Sequence, residues 1–269
     1  MTLNHSFKEE INNCLKKIKV SKGQNVYAVG NLSLLGKIRL KKNKKLFLFL
    51  EAFQERISEK GTIFSAGASM NLMNTKTIYD PNNTPTFQMG AFSEYLRNTP
   101  NVVRSFHPFW SVLGLGPEAK KLKLVSRHAF GVGSPWSILL DLNTLQVNFG
   151  IHPSKAVTLI HHIETIFGVP YRYTKEFKHP IKNRNGSKEE LFYQLVMYKN
   201  CSIKKKIALN EHFFIDLEKE GKLHNSRHSS GLQFWSFKMT DFYDIALRYF
   251  ISNIYNYLEE PPAKRPYQK

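Results

Sequence analysis

Residues 25–64 read NVYAVGNLSLLGKIRLKKNKKLFLFLEAFQERISEKGTIF, and they indicate the class of fold more clearly than any other stretch. A short β-like run, residues 25–29, comes first and ends at a Gly-Asn turn. Apolar residues then recur at helical spacing: Leu46, Leu50, Phe53 and Ile57. A second buried β-like run occupies residues 61–64. Because strand, helix and strand at this spacing form a crossover unit, we predict a parallel or mixed sheet.

Helical patterns flank this unit on both sides. The first twenty residues have an amphipathic pattern, residues 154–167 have a second, and residues 239–258 have an apolar one. Two shorter runs, residues 137–142 and 145–149, are typical of a β-hairpin. We therefore expect an α/β protein, layered α/β/α around a mixed central sheet, with a C-terminal helical portion.

The length of the chain bounds its domain organisation. A chain of 269 residues with 42% hydrophobic residues can bury one sizeable core, so we predict a single domain over residues 1–269. Residues 179–190 are polar and rich in turn formers, which marks residues 179–235 as a candidate insertion or subdomain. Residues 261–269 contain several prolines, and we expect them to form a flexible tail.

Charge is the strongest compositional signal. Lysine and arginine total 39 against 21 acidic residues, which gives a formal net charge of +18. Such a field attracts polyanions, among them nucleotide-type cofactors, phosphorylated substrates and anionic membrane surfaces. The two cysteines provide no disulfide framework, no apolar run reaches the length of a membrane span, and the first residues lack a signal-peptide layout. We expect a cytoplasmic protein without a transmembrane segment.

Several common kinds of site lack their sequence signature. No β-like run precedes Gly114-Leu-Gly116, so these glycines do not predict a dinucleotide loop. The sequence contains no Gly-x-Ser-x-Gly elbow, no Walker loop and no His-Glu-x-x-His helix. Its scattered histidines predict no metal site, and its short basic run without interleaved aromatic residues predicts no nucleic-acid partner.

His161 and Glu164 are the leading candidates for acid–base chemistry. They lie three residues apart in a predicted helix, so their side chains share one face of it. A carboxylate beside an imidazole orients the ring and raises its basicity, as a general base requires. A surface ion pair is the alternative interpretation of the same spacing. His162 points elsewhere on the helix and is expected to pack or to face solvent.

A second set of candidate residues lies in Arg104-Ser-Phe-His-Pro-Phe-Trp-Ser111. The arginine, the histidine and the two serines of this segment are able to donate hydrogen bonds to a carbonyl or a phosphate. An ordinary polar turn with an aromatic anchor accounts for them equally well. Residues 128–136 form a Gly/Pro turn that either lines a pocket or only connects two elements.

Taken in order, these segments resemble the aminoglycoside 3-N-acetyltransferase family. Its Arg-Ser-x-His-Pro-x-x-Ser pattern is matched by Arg104, Ser105, His107, Pro108 and Ser111. Its Thr-x-x-His-x-x-Glu pattern is matched by Thr158, His161 and Glu164. The remaining matches are Leu32-Ser33…Gly36, Gly61-Thr62, Asp80, Thr84-Pro85, Met89-Gly90, and Gly131, Gly133, Ser134 and Pro135. Together the matches span roughly residues 20 to 175.

The resemblance implies an N-acetyltransferase that uses acetyl-CoA, or another short acyl-CoA, by direct transfer in a ternary complex. His161 would be the general base, and Glu164 would hold it. The residues expected to contact the cofactor are Ser33, Lys37, Ser105, His107 and Ser111. The residues expected to contact the acceptor are Asp80, Arg104 and Ser134. No metal is implied, and dimer formation stays open.

One loop departs from the family pattern. The family has His-Ser-Ser near the cofactor, where this chain has Val29, Gly30 and Asn31. The basic run Lys37–Lys45 follows directly. We hypothesise that it supplies cations to the CoA phosphates in compensation, because positive charge favours bound phosphate groups. A solvated lysine face is the alternative.

Net charge also bears on the acceptor. Aminoglycosides are polycations, and like charges repel during encounter, so a protein of charge +18 is a poor match for them. The sequence therefore favours a neutral or anionic amino sugar, as in surface-glycan or nucleotide-sugar metabolism. Two alternatives remain: an aminoglycoside acetyltransferase that confers antibiotic resistance, and an inactive relative that binds an anionic glycan or a membrane surface.

Overall fold

A computed structural model describes residues 3–199, 206–258 and 260–262. The strands are β1 (Asn25–Gly30), β2 (Thr62–Ala66), β3 (Val103–Arg104), β4 (Val112–Leu115), β5 (Leu145–Phe149), β6 (Arg172–Asn183), β7 (Gly186–Met197), β8 (His224–Arg227) and β9 (Gln233–Lys238). The α-helices are α1 (Leu3–Lys17), α2 (Lys42–Ile57), α3 (Gly90–Arg97), α4 (Pro135–Asp141), α5 (Leu159–Phe167), α6 (Lys206–Lys219) and α7 (Met239–Ser252). None of these helices is long and apolar enough to cross a bilayer.

The central sheet is mixed. Within the described residues it contains seven strands in the order β3-β4-β2-β1-β5-β9-β8. Strand β1 lies in the middle and pairs in parallel with both β2 and β5, whereas β4 and β9 continue the sheet antiparallel on either side. The predicted crossover is therefore confirmed, because β1, α2 and β2 follow one another and the two strands run parallel.

Two apolar layers cover the sheet. Alternate residues of β1 point to opposite faces, so Val26 and Ala28 join one core while Tyr27 and Val29 join the other. The first core is covered by α1, α2 and α3, with Phe49 at its centre, and the second by α4 to α7. The layered α/β/α architecture and its C-terminal helical portion are as predicted.

Strands β6 and β7 form a long hairpin separate from the central sheet. Backbone bridges attach it to two loops, one between Tyr79 and Ile181 and one between His128 and Tyr193. The interval 179–235 does not coincide with this hairpin. The hairpin begins at residue 172, and β8 and β9, which fall largely inside the interval, belong to the central sheet.

Three predicted boundaries are wrong. The hairpin expected over 137–149 is α4 followed by β5, because Pro135 sits at the first turn and Trp136 and Leu139 are buried at helical spacing. The helix expected from residue 154 begins at Leu159, after a separate 3₁₀ turn over Pro153–Lys155. The final helix ends at Ser252 rather than at residue 258. Most of the predicted flexible tail, residues 263–269, lies outside the described residues.

Candidate active site

A cavity of about 800 Å³ opens at the carboxyl end of β1. Its walls come from β1, the end of β2, the turn over residues 31–36, the start of α2, residues 88–91 where α3 begins, and the segment over 151–158. Most of the lining side chains are apolar. Among the described residues that line it, the charged ones are Lys42 and Lys45, which lie together at the start of α2. The cavity is thus a largely apolar slot with a positively charged end.

Strands β1 and β5 end in close contact beside the slot. The amide of Asn31 donates a hydrogen bond to the Phe149 carbonyl at 2.7 Å. A Cβ at Gly30 would lie 1.9 Å from that carbonyl oxygen, and a Cβ at Gly150 would lie 2.0 Å from the Asn31 oxygen. Gly150 also has a φ of +67°, which side chains disfavour. Both positions therefore require glycine.

We expect Gly150→Ala to lower the free energy of unfolding by at least about 2 kcal/mol, because it adds a clash with backbone to a strained φ. Gly36→Ala is the matched control. Gly36 also lines the cavity, but its added Cβ meets no atom within 4 Å, and we expect a change below about 0.5 kcal/mol. Urea unfolding measures both variants, and equal stabilities would contradict the steric explanation.

Helix α5 carries the imidazole–carboxylate pair. The His161 Nδ1 and Glu164 Oε2 atoms are 2.8 Å apart, and the second oxygen, Glu164 Oε1, accepts a 2.8 Å hydrogen bond from Arg172 Nε. Glu164 is fully buried. Burial alone would raise the pKa of this carboxyl group, but the hydrogen bonds and charges of His161 and Arg172 outweigh it and lower the pKa. The group is therefore a carboxylate held between two donors.

This arrangement fixes the tautomer of the imidazole. A carboxylate only accepts hydrogen bonds, so the proton shared with Glu164 sits on Nδ1 of His161. Nε2 is then the nitrogen that can take up a proton from a substrate. The pair thus joins an imidazole to a carboxylate that orients it, which is one part of what a general base uses.

The dyad lies beside the cavity rather than in its lining. The His161 side chain is 15% exposed, and its ring contacts the edges of Trp110 at 6.2 Å and Phe130 at 5.4 Å between centroids. Thr158, one helical turn earlier, lines the cavity, and its carbonyl accepts the His161 amide at 3.0 Å. The His161 ring thus sits one turn of α5 from the slot.

Ser33 and Lys37 are the predicted cofactor contacts near α2, and Ser33 lines the cavity. The Ser33 amide donates a hydrogen bond to Asn31 Oδ1 at 2.8 Å. Lys37 is exposed but lies outside the lining. Lys42 and Lys45 occupy the wall instead, and Lys45 Nζ donates to the Leu35 carbonyl at 2.8 Å. The lysines that line the cavity therefore belong to the predicted basic run Lys37–Lys45, but they are Lys42 and Lys45 and not Lys37.

The structure places Ser105, His107 and Ser111 away from the cavity lining. All three are buried, and their polar atoms bond within the fold. Ser105 Oγ accepts the Val112 amide at 2.9 Å, and Ser111 Oγ donates to the Gly67 carbonyl at 2.6 Å. These hydrogen bonds shape the loop. Direct cofactor contact by these three residues stays a prediction that the lining does not support.

His107 joins the loop to the hairpin. Its Nδ1 accepts the amides of Phe109 and Trp110 at 3.3 and 3.2 Å, so Nε2 carries the proton and donates to the Tyr193 carbonyl at 3.3 Å. Burial lowers the pKa of His107 to about 3, and the ring is neutral in the fold.

His107 therefore predicts acid sensitivity. Below the ordinary histidine pKa of about 6.5, the unfolded chain binds a proton at His107 that the folded chain does not. The free energy of unfolding therefore decreases as the pH is lowered, by up to about 1.4 kcal/mol per pH unit. His107→Asn keeps a hydrogen-bond acceptor but cannot take up that proton. We expect a shallower fall in the free energy of unfolding between pH 6 and pH 4, measured by urea titration. If the free energy of unfolding depends on pH as steeply in His107→Asn as in the wild type, another buried histidine such as His162 causes the acid sensitivity.

The predicted acceptor contacts are also engaged in the fold. Arg104 is buried, and its guanidinium donates to Ser111 Oγ at 2.9 Å, to Ser69 Oγ at 2.9 Å and to the Gly67 and Thr84 carbonyls. Burial lowers the pKa of this guanidinium, which nevertheless stays charged. This residue ties three loop segments together.

Asp80 and Ser134 occupy separate places. Asp80 accepts hydrogen bonds from Lys182 Nζ, Asn83 and the Asn82 amide. Burial alone would raise its pKa, but these donors lower it to about 2. Ser134 is fully buried as the residue that precedes α4. Neither residue lines the cavity, so their contact with an acceptor stays a prediction.

Two side chains at or near the site, Arg172 and Tyr27, were not predicted from the sequence. Arg172 lies beyond the end of α5, and only folding brings it to Glu164. Tyr27 reads as one more apolar position in β1, although it lines the cavity. His162 is buried, as one of its two expected environments, and accepts the Gly131 amide at 3.2 Å. Among the described residues, no group of three side chains is suited to a metal ion.

Comparison of sequences identifies relatives. Residues 36–251 match the family model described as aminoglycoside 3-N-acetyltransferase. The aminoglycoside N(3)-acetyltransferase III of Salmonella sp is 30% identical over 111 residues, which cover 40% of this chain and 38% of the relative. The prophage-derived aminoglycoside N(3')-acetyltransferase-like protein YokD of Bacillus subtilis (strain 168) is 28% identical over 148 residues, covering 47% and 52%. The chain thus aligns with about two fifths to one half of the length of these relatives.

Comparison of structures extends over most of the chain. The crystal structure of YokD from Bacillus subtilis superposes with a TM-score of 0.75 at 22% identity, covering 91% of this chain and 99% of that one. The structure of AAC-IIIb with CoASH gives 0.78 at 15%, covering 95% and 98%. AAC-VIa bound to sisomicin gives 0.76 at 17%, covering 91% and 97%. At these identities the likeness establishes a shared fold.

Proposed function

This chain belongs to the aminoglycoside 3-N-acetyltransferase family, and we propose on that premise that it transfers an acetyl group from acetyl-CoA to a primary amine of an aminoglycoside. The observation that carries the proposal is the His161–Glu164 pair, which lies one helical turn from a slot of about 800 Å³. A base and a ligand cavity are the two parts that such a transfer requires.

The slot suits an acyl-CoA. Its apolar walls match a pantetheine arm, and Lys42 and Lys45 lie at the end where phosphates would enter. Helix α2 begins at the same place, without an acidic residue in its first turn, so its dipole adds to the positive field. The likeness to AAC-IIIb with CoASH supports this assignment. The exposed Lys37 would act at longer range.

The chemistry then follows from the dyad. The amine nitrogen attacks the thioester carbonyl carbon, a C–N bond forms, and the carbonyl electron pair moves onto oxygen. The C–S bond breaks as that pair returns, so the products are an amide and free CoA thiol. His161 takes the proton that the amine loses, and the thiolate receives a proton in turn. Glu164 holds the imidazole and stabilises its positive charge while it is protonated.

The acceptor is the least constrained part. Family membership and the neighbour bound to sisomicin support an aminoglycoside as the acceptor, although net charge alone favours a neutral or anionic amino sugar. A neutral or anionic amino sugar, as in surface-glycan metabolism, remains the second candidate because the net charge of +18 opposes a polycation. The acids of the hairpin do not offset that charge locally, since Glu189 pairs with Lys76 and Lys178, and Glu190 pairs with Arg127.

The decisive experiment measures thiol release from acetyl-CoA with each acceptor class. We expect turnover with gentamicin-type aminoglycosides, and expression of the chain should raise tolerance to them. Turnover only with nucleotide-linked amino sugars would favour the second candidate. Binding of acetyl-CoA without any acceptor-dependent thiol release would contradict both candidates, and absence of acetyl-CoA binding in calorimetry would identify an inactive relative.

A further inference from the structure

Tyr27 is a buried tyrosine in the wall of the cavity. It lies in the middle of the central strand β1, is only 2% exposed, and lines the cavity. Within residues 3–199, 206–258 and 260–262, its hydroxyl makes no hydrogen bond. Two other buried tyrosines differ, since Tyr79 donates to the Ser105 carbonyl and Tyr257 donates to Asn210. Because Tyr27 lines the cavity, a ligand held there can supply the hydrogen-bond partner that the described residues do not.

Tyr27 also lies at the end of the cavity where the reaction would occur. Its ring contacts Trp136 at 5.2 Å, Trp136 contacts Phe130 at 6.1 Å, and Phe130 contacts His161 at 5.4 Å between centroids. Tyr27 and the base are therefore joined through one aromatic cluster. The lysines of the cavity are on α2, so a CoA with its phosphates there would extend its thioester toward Tyr27 and Thr158.

We propose that the Tyr27 hydroxyl donates a hydrogen bond to the thioester carbonyl oxygen and stabilises the negative charge that develops there during amine attack. This inference rests on the proposed function. A donor on a strand in the sheet interior is held rigidly, and in a site of low polarity such a donor acts strongly on developing charge. Burial raises the pKa of this hydroxyl, so it keeps its proton and can donate throughout the neutral range.

Thr158 is the competing hydroxyl at this end of the cavity. It is half-buried and precedes α5, where its side chain makes no capping hydrogen bond. Tyr27 is the stronger candidate because it is almost fully withdrawn from water, and because β1 and Trp136 fix its ring. Water weakens a hydrogen bond to an exposed donor, whereas a buried donor keeps its full effect.

Tyr27→Phe tests the proposal, since it removes only the hydroxyl and keeps the ring against Trp136. We expect kcat to fall by about 10²–10³-fold with little change in KM for acetyl-CoA, as for loss of one oxyanion donor. Tyr249→Phe is the matched control, because the Tyr249 hydroxyl donates to Asp216 on the helical layer, outside the cavity lining. It should keep wild-type kcat. Wild-type kcat in Tyr27→Phe, or a change confined to KM, would overturn the proposal.

A second readout needs no acceptor. The carbonyl stretch of acetyl-CoA labelled with ¹³C at the carbonyl should shift to lower frequency on binding to the wild-type protein, and the shift should be smaller in Tyr27→Phe. Identical spectra for the two proteins would overturn the role of Tyr27 while leaving acetyl transfer intact. Failure of the wild-type protein to bind labelled acetyl-CoA would overturn the proposed function, and the role of Tyr27 with it.

Discussion

His161→Ala is expected to lower kcat for acetyl transfer by about 10²–10⁴-fold, because the amine loses the group that accepts its proton. Affinity for acetyl-CoA should change little, since His161 lies beside the cavity and not in its lining. Thiol release at saturating acetyl-CoA measures the first quantity, and calorimetry measures the second. His5→Ala provides a control, because His5 is an exposed histidine on α1, across the sheet from α5.

Two results would contradict this role. Wild-type turnover in His161→Ala would show that another group removes the proton. Loss of acetyl-CoA binding together with turnover would instead indicate that His161 acts through its packing against Trp110 and Phe130. Recovery of turnover in His161→Ala by added imidazole would support the assignment, because a small base could then replace the missing ring.

Glu164→Ala is expected to lower the free energy of unfolding by about 3–5 kcal/mol, because it leaves the buried Arg172 guanidinium without its carboxylate. The double variant Glu164→Met with Arg172→Met removes both charges and should recover much of that stability. It should not recover turnover, since His161 still lacks the carboxylate that orients it. Urea unfolding and thiol release measure the two effects on the same proteins.

The double variant separates two roles of one carboxylate. If stability and turnover recover together, the carboxylate serves only the fold, and the catalytic role of the dyad is wrong. The pH dependence has a defined sign as well. Because the pKa of Glu164 is lowered in the fold, its contribution to stability is complete above the ordinary glutamate pKa and is lost as pH falls through the lowered value.

Sequence periodicity predicted the helices and strands whose buried face is set by the spacing of their own apolar residues. The apolar spacing from Leu46 to Ile57 gave α2, and the β-like runs on either side gave β1 and β2, because periodicity reflects which face is buried. Local periodicity gave the wrong element for residues 137–142, which form the end of α4 with its C-cap residue and not a strand. The apolar residues of this run suit a strand or a buried helix, and Pro135 at the first turn selects the helix.

The site was predicted only where its residues are near in sequence. His161 and Glu164 are three apart on one helix, and their pairing follows from helical geometry. Arg172 reaches Glu164 only through the path of the chain after α5, which no local pattern encodes. Ser105 and Ser111 show the converse limit, since a segment rich in donors does not reveal whether those donors face a ligand or the backbone.

The β6–β7 hairpin couples segments that the sequence keeps far apart. It holds Tyr79 at one bridge and residues 127–129 at the other, and His107 reaches it through the Tyr193 carbonyl. The first of these attachments anchors the segment that leads to the cavity wall at residues 88–91. Shortening the β6–β7 hairpin would therefore shift the segment that leads to residues 88–91 and change the shape of the cavity there. A change in hairpin length could thus alter ligand selectivity without substitution of any lining residue.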